Sequence, residues 1–398
     1  MRIALFHNTP SGGAKRAIFE WTRRLTRNHH IDVFTLNSAD HEYCDIRPYV
    51  QSYHIFDFVP KKLFTSPFGR INAIQRWRDL GSLTKVGKNI AAEINRAGYD
   101  VLFANTCLFT FIPTVLQFVN IPSIYYLHEP FGNGFVRNFK RHYLKNDPWR
   151  GSLNRIDPVL ELYHRRLNNS QRKSISRTNM VLANSTFTKE CMKNLFGLDT
   201  PICYLGVDSE AFHPIPGVKK ENHILSVGEL SPRKGFDFII ESLKLIPPES
   251  RPQLRLVCNK VDLNEKNYVE SLAVQYDVDL QILTNLNTNE MICEYNKAQI
   301  CVYTPVLEPF GLVPLEAMAC GLPVIGVREG GVQESIVHDQ TGLLVDRDPH
   351  QFARAIQHLF SNPGLISDFS RNGREYVLKY WTWDRAVNRL EEHFAAVV

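Results

Sequence analysis

Ile300-Cys301-Val302-Tyr303-Thr304 is followed three residues later by Glu308-Pro309-Phe310-Gly311-Leu312-Val313-Pro314-Leu315-Glu316-Ala317-Met318-Ala319-Cys320-Gly321-Leu322-Pro323-Val324-Ile325. The first run is apolar, β-branched and aromatic, the pattern of a buried strand. Pro309-Phe310-Gly311 can form a tight turn that presents backbone N–H groups. Pro314–Ala319 then opens a helix, and a helix N-terminus attracts phosphate. In an open parallel sheet ligands bind beyond the carboxyl ends of the strands, which is where this corner falls. Glu308 and Glu316 flank it, and carboxylates grip hydroxyl groups through charge-assisted hydrogen bonds. The stretch predicts strand, anion-binding turn, helix and strand, with an acidic group at either end.

The same rhythm extends in both directions. Downstream of residue 206 the strand candidates are HILSVGE (223–229), LRLVC (254–258), LQILT (280–284), ICVYT (300–304), PVIGV (323–327) and GLLVD (342–346). Helical patterns over Gly235–Leu245, Asn289–Lys297, Val332–Val337 and His350–Phe360 alternate with them. Upstream the candidates are IALFH (3–7), IDVFTL (31–36), VLFAN (101–105), SIYYLH (123–128), MVLANS (180–185) and ICYLGV (202–207), with helices over Ala14–Arg27 and Thr186–Leu195. Strands alternating with helices give βαβ units and a parallel sheet. The expected fold is α/β, with two doubly wound parallel-sheet domains. The Pro- and Gly-rich segment Gly206–Gly217 reads as a hinge. The expected domains are therefore residues 1–205 and 206–380. The chain ends in a helical stretch over about Arg371–Val398 with Trp381 and Trp383 around a kink, and its last part, about 381–398, is expected to cross back onto the first domain. Residues 40–80 show no clear period. Residues 130–175 mix aromatics with basic side chains, including Phe131, Phe135, Arg137, Phe139, Lys140, Arg141, Tyr143, Lys145, Trp149 and Arg150. This stretch reads as a solvated basic loop and helix, or else as a contact for an acceptor or a membrane surface.

The bulk properties agree with two globular units. A chain of 398 residues, 44% hydrophobic and 22% charged, suits two domains. No apolar run approaches the roughly 20 residues of a membrane span. The apolar opening stops at His7-Asn8-Thr9-Pro10, too short for a signal-peptide core, so a cytoplasmic protein is expected. The 8 cysteines are scattered without a Cys-x-x-Cys pair and read as buried thiols. Residues 1–205 hold 28 Lys+Arg against 15 Asp+Glu, whereas residues 206–398 hold 18 against 26. The first half is thus basic and is expected to face something anionic, such as a nucleic acid, a membrane surface or a phosphorylated acceptor.

Three further motifs follow strands. Val227-Gly228-Glu229-Leu230-Ser231-Pro232-Arg233-Lys234-Gly235 places two cations at a helix start, where the helix dipole disfavours them unless an anion is present. Thr9-Pro10-Ser11-Gly12-Gly13-Ala14-Lys15-Arg16 puts a glycine pair after the first strand, where backbone can approach a ligand. Leu127-His128-Glu129-Pro130 ends the strand SIYYLH. Asn105 and Asn184-Ser185 end neighbouring strands and are candidates to line the same cleft.

The Glu308–Glu316 segment resembles the Glu-x7-Glu signature of glycosyltransferase family 4, and Gly321-Leu322-Pro323-Val324-Ile325, Gly330-Gly331, Glu334 and Gly342-Leu343-Leu344-Val345 are also similar to that family's pattern. The resemblance is strong over residues 223–346 and weaker before. It implies the GT-B fold and retaining transfer of a sugar from a nucleoside-diphosphate sugar, in polysaccharide, lipopolysaccharide or glycolipid synthesis. Glu308 would contact the donor sugar near the reacting centre, and Glu316 would hold the ribose hydroxyls. The backbone of Gly311 and Leu312, beside Phe310, would approach the diphosphate. The segment around Gly228 resembles the family's Gly-Arg…Lys-Gly pair of cations. Lys234 fits the second position, but Glu229 stands at the first, and Arg233 is the candidate to supply that charge. Gly12 and Gly13 match the family's phosphate-facing loop. His128 matches its strand-end histidine near the sugar, with Glu129 where Asp is usual. The resemblance implies no required cofactor. The partners expected are the donor, a carbohydrate or lipid-linked acceptor, and a peripheral contact at the inner membrane face through the basic half, with no nucleic acid.

Rival chemistries lack their residues. Asp277-Val278-Asp279 and Asp346-Arg347-Asp348 have the spacing of a metal-binding pair, but neither is accompanied by further ligands, so no metal is expected. There is no Gly-x-Gly-x-x-Gly after a strand and no Gly-x-x-x-x-Gly-Lys-Ser/Thr loop. A nucleotide-sugar epimerase of the same fold, or a non-catalytic nucleotide-sugar-binding protein, remains open as an alternative.

Overall fold

A computed structural model describes residues 1–64, 72–129, 139, 141–143 and 157–398. Two six-stranded sheets carry the chain, and every strand pair in both is parallel. The first contains β1 (Arg2–Asn8), β2 (His30–Leu36), β3 (Ser52–Phe56), β4 (Val101–Cys107), β5 (Ser123–Leu127) and β6 (Met180–Ala183), in the order β3-β2-β1-β4-β5-β6. The second contains β7 (His223–Val227), β8 (Gln253–Val257), β9 (Leu280–Leu283), β10 (Ile300–Tyr303), β11 (Val324–Val327) and β12 (Gly342–Val345), in the order β12-β11-β10-β7-β8-β9. Both are the Rossmann order. Each reverses direction at one switch point, between β1 and β4 and between β7 and β10, where crossovers leave a crevice.

Local chemistry sets the helices. In α1 (Gly13–Leu25), Ala17, Ile18, Trp21 and Leu25 recur at helical spacing and are fully buried against the sheet. α2 (Asn72–Ala97) buries Leu80, Leu83, Ile90 and Ile94. α3 (Pro158–Arg177) starts at Asp157, whose carboxylate accepts from the N–H of Val159 and Leu160, with Pro158 in the first turn. α4 (Thr186–Phe196) ends at Gly197 in the left-handed conformation. The second half adds α5 (Phe236–Leu243), α6 (Leu263–Gln275), α7 (Thr288–Lys297), α8 (Leu312–Ala319), α9 (Val332–Ser335), α10 (Pro349–Phe360), α11 (Pro363–Tyr380) and α12 (Trp383–Val397). Asn287 and Glu290 form a reciprocal capping box at the start of α7.

The chain breaks at Trp381-Thr382, and α12 crosses to the first sheet's side. Trp383 packs 5.9 Å from Trp21 and Phe394 5.5 Å from Phe103, centroid to centroid, while His29 meets Glu391 at 2.8 Å. Gly206 lies against the backbone of Thr382, and the Val207 N–H bonds Trp381 O at 2.8 Å. Arg374 of α11 donates to the carbonyls of Phe212 and Ala319, stitching the linker to the end of α8. One buried apolar cluster runs from Ile3 and Trp21 through Leu205 and Phe212 to Leu315, Met318 and Trp383.

Several expectations change. ICYLGV (202–207) forms no strand; Ile202 and Val207 make only isolated bridges, because this segment leaves the first sheet to become the linker. The stretch without clear period, 40–80, contains edge strand β3 and the start of α2. Burial in β3 is only partial, so its apolar signal is diluted. Arg141 and Tyr143 are not solvated: Arg141 is 8% exposed and both side chains reach the second domain. Phe131, Phe135, Arg137, Lys140, Lys145, Trp149 and Arg150 lie outside the described residues. All 8 cysteines are free thiols, with Cys44 and Cys293 partly exposed.

Candidate functional site

The two switch points face each other across a cavity of about 440 Å³. Gly12, Gly13, His128, Asn184, Gly228, Arg233, Lys234, Glu308, Phe310, Gly311, Leu312 and Glu316 line it, whereas Asn105 and Ser185, also expected there, lie behind it, buried against His128 and Pro309. The loop after β10 is held in place by Val306 N–H donating to Arg233 O and Gly331 N–H donating to Glu308 O, both at 2.8 Å. A Cβ at Gly330 would lie 2.3 Å from Glu308 O, and Gly330 has φ +60°, so only glycine fits behind the loop. Gly311 has φ +90°, and a Cβ there would lie 3.0 Å from the Tyr303 ring, so a glycine turns the chain into α8. α8 has no side-chain cap, and Pro314 carries no N–H. The helix tip therefore presents the N–H groups of Gly311, Leu312 and Val313 to the cavity, with the positive end of the helix dipole behind them.

Charge is arranged in four acid–base pairs among the described residues. Lys234 Nζ meets Glu308 Oε2 at 2.8 Å, and Lys260 Nζ meets Glu229 Oε1 at 2.9 Å, both within the second domain. Arg16 meets Glu316 Oε1 at 2.7 Å and Arg233 meets Glu129 Oε2 at 3.9 Å, both across the cleft. Lys234 thus lies on the first glutamate of the motif. It sits in a short 3₁₀ turn, Pro232–Lys234, and α5 begins only after Gly235. Glu229, where the family pattern has Arg, is neutralised by Lys260, a cavity residue that no motif signalled.

Glu316 is nearly buried, and both of its oxygens are occupied, one by Arg16 and the other by the Tyr295 hydroxyl at 2.8 Å. Burial opposes the charge on Arg16, yet Glu316, Tyr43 and Glu20 hold its pKa above the ordinary value. Burial and Glu316 push the Tyr295 hydroxyl well up, so it stays a donor. The guanidinium also lies 5.1 Å over the Phe212 ring. Arg16 closes the quoted Gly-Gly segment, but nothing in its sequence spacing shows that it crosses to the other domain.

On the first domain, His128 is buried and tilted against Tyr126 and Trp21. Burial pushes its pKa down to about 3, so it is a neutral imidazole. Its Nε2 lies 2.9 Å from Asn105 Oδ1, an acceptor, which puts the ring proton on Nε2. Asn184 Nδ2 donates to His128 O at 2.8 Å, so two of the strand-end residues act by fixing the histidine. Ser185 Oγ caps α4 and donates to Pro309 O, reaching the motif loop itself. Glu334 accepts from the N–H of Thr186 and Phe187 and from the Tyr204 hydroxyl, so it caps α4 from across the interface.

Among the described residues no group of three His, Cys, Asp or Glu gathers where it could hold a metal. Asp348 caps α10, Asp346 lies 3.6 Å from Arg328, and Asp277 occupies a turn at φ +54°. No described helix is long and apolar enough to cross a membrane.

Two Rossmann-type sheets opposed across such a cleft define the GT-B class of α/β fold. The sequence profile described as Glycosyltransferase Family 4 matches residues 11–211, and that of Glycosyl transferases group 1 matches residues 208–376. The chain belongs to glycosyltransferase family 4. It is 29% identical over 222 residues to the human alpha-1,3/1,6-mannosyltransferase ALG2, covering 50% of this chain and 53% of that one. It is 29% identical over 211 residues to the D-inositol 3-phosphate glycosyltransferase of Pseudarthrobacter chlorophenolicus, covering 48% and 49%. The chain thus spans about half the length of these curated relatives. Anabaena HepE, solved in complex with UDP-glucose, superposes with a TM-score of 0.75 over 100% of both chains at 16% identity, a likeness of fold.

Proposed function

We propose that this chain is a retaining glycosyltransferase that moves a sugar from a nucleoside-diphosphate sugar to an acceptor hydroxyl, without a required metal. The observation that carries the reading is the Lys234–Glu308 pair at 2.8 Å beside the uncapped tip of α8, at the switch point of the second sheet. The helix-tip N–H groups and Lys234 take the diphosphate, with Arg233 and Lys260 as further cations. Negative charge grows on that leaving group as the glycosidic bond breaks, so fixed cations there favour the transition state. Once Lys234 engages phosphate, Glu308 is left facing the sugar. Glu316, bonded by Arg16 and the Tyr295 hydroxyl, keeps lone pairs for ribose hydroxyls. Neutral His128 is suited to a hydrogen bond with a sugar hydroxyl rather than to holding a charge. In this reading the acceptor oxygen bonds the anomeric carbon on the face from which the diphosphate departs, and its hydroxyl proton goes to that phosphate.

Relatives named as mannosyl- and inositol-phosphate glycosyltransferases support the reaction class, and the UDP-glucose complex of HepE supports the donor class. We place residues 1–205 with α12 on the acceptor side and residues 206–380 on the donor side. The basic first half, with exposed Leu63, Phe64 and Leu162, favours a carbohydrate or lipid-linked acceptor presented at the cytoplasmic face of a membrane. The test is a melting-temperature screen with UDP-, GDP- and ADP-sugars, followed by radiolabelled transfer and stereochemical analysis of the product. Stabilisation by one nucleotide sugar and a retained anomeric configuration are expected. An epimerised free nucleotide sugar, or binding without turnover on any acceptor, would overturn the proposal.

A further inference from the structure

A second cavity, of about 370 Å³, lies in the first domain between α2, α3 and the loop that follows β4. It shares no lining residue with the interdomain cavity. Leu83, Phe109, Tyr163 and Leu167 supply apolar and aromatic walls. The polar contribution comes from Arg76, Asp79 and Thr110. Asp79 is 4% exposed and Thr110 2%. Asp79 Oδ1 accepts from the Lys61 N–H at 2.9 Å, but Oδ2 has no hydrogen bond among the described residues and only Arg76 at 4.0 Å. The Thr110 hydroxyl is likewise without a partner there.

We propose that this cavity is a carbohydrate subsite that takes one hexose-sized ring of the acceptor, remote from the unit that receives the sugar. The inference rests on the transferase reading for its link to the acceptor. Two physical points decide the ligand class. The volume is at the low end of the roughly 300–1,000 Å³ typical of ligand sites, which suits a single ring. A hydrocarbon chain sealed over Asp79 Oδ2 and Thr110 Oγ1 would leave two buried oxygens unsatisfied, at about 1–3 kcal/mol each. Ring hydroxyls satisfy both, while the C–H face of the ring lies on Phe109 and Tyr163. Position supports a shared acceptor. Leu108 N–H bonds Asn8 O at 2.8 Å, and Asn105, on the strand leading into this loop, holds His128 of the main cleft. An oligosaccharide with its reactive end at His128 can follow the loop to the second cavity.

The test is an NMR titration of the full chain with methyl α-glucoside, methyl α-mannoside and methyl α-galactoside, and separately with octyl phosphate. At least one glycoside is expected to bind at millimolar concentration, with shifts at Thr110 and Tyr163. T110V and D79N should each weaken it about tenfold, the worth of one lost charge-assisted or hydroxyl hydrogen bond. L167W should fill the cavity and abolish it. Because Asp79 also anchors Lys61, T110V and L167W carry the test if D79N misfolds. The melting-temperature response to whichever of UDP, GDP and ADP stabilises the wild type, proposed to bind the other domain, reports folding of the variants. It also reports separately on the donor site, so a wild type that responds to none of the three would strike the transferase reading instead. The subsite is overturned if no glycoside binds, if binding survives both T110V and L167W, or if only octyl phosphate occupies the cavity.

Discussion

The two sheets share one strand order, yet their switch points are furnished in opposite ways. On the second sheet the working groups are nearly contiguous: Glu308, Gly311, Leu312 and Glu316 sit on one loop and the helix it feeds, and Gly228–Lys234 follow the adjacent strand. On the first sheet they come from separate places: the Gly12–Arg16 segment, and Asn105, His128 and Asn184 at three strand ends. The second sheet offers backbone N–H groups and short-range pairs that one segment can encode. The first sheet contributes by reaching across, with Arg16 on Glu316, Glu129 on Arg233 and Ser185 on Pro309. A contiguous site is written as a motif, whereas a dispersed one is assembled by packing.

The sharpest test of the contiguous side is Glu308→Ala. Turnover should fall by about 10²–10³-fold, the scale for losing one group that acts on developing charge, while free nucleotide still raises the melting temperature. A loss under tenfold in single-turnover assays would remove Glu308 from the chemistry. On the dispersed side, Arg141→Met leaves Glu265, fully buried, and Asp237 without the guanidinium that bonds both at 3.0 Å. Denaturant unfolding should show about 3–5 kcal/mol of destabilisation, and an unchanged midpoint would mean that this ion-pair junction contributes nothing to stability. Lys234→Glu should weaken nucleoside-diphosphate binding by about tenfold or more in calorimetry, since a charge-assisted bond is worth about 1.5–3 kcal/mol. Arg16→Gln should raise the donor KM about tenfold with a smaller change in kcat, and Arg16→Lys should recover part of it. If kcat falls instead and KM holds, Arg16 serves the acceptor.

A further effect is on pH. Burial lowers His128 to about 3, and burial with Arg255 lowers His223 to about 4, against 6.5 for the free side chain. Between pH 6.5 and about 4 the unfolded chain binds more protons than the folded one, so stability falls as pH drops. Each histidine adds at most about 1.4 kcal/mol per pH unit over that window and nothing above it. Melting temperatures at pH 7.5 and pH 5.0 should differ in that direction, and His128→Gln should narrow the gap.

Legibility followed burial and contiguity. Eleven of the twelve strands were readable because they are short apolar runs, and the exception, Ser52–Phe56, is a half-buried edge strand whose alternation is blurred. ICYLGV (202–207) carries the composition of a strand, but Gly206 must pass against the backbone of Thr382, which diverts it into the linker. α2 is 26 residues long yet hid in sequence because its buried apolar face is interrupted by Asp79 and Gly87. Within the site, the residues on motif segments were found, and Arg16, Tyr295 and Lys260 were not assigned roles, since their partners lie up to 300 positions away.

The sequence by itself determined the alternation of strands and helices, the turn at Pro309-Phe310-Gly311 and the spacing of Glu308 and Glu316, because backbone preference and helix polarity act over a few residues. Only the tertiary structure decided which carboxylate meets which cation. Ion pairs depend on distance through space, and the pairs Arg16–Glu316 and Arg141–Glu265 exist only because two separately folded sheets are pressed together by α12 and the apolar core that it completes.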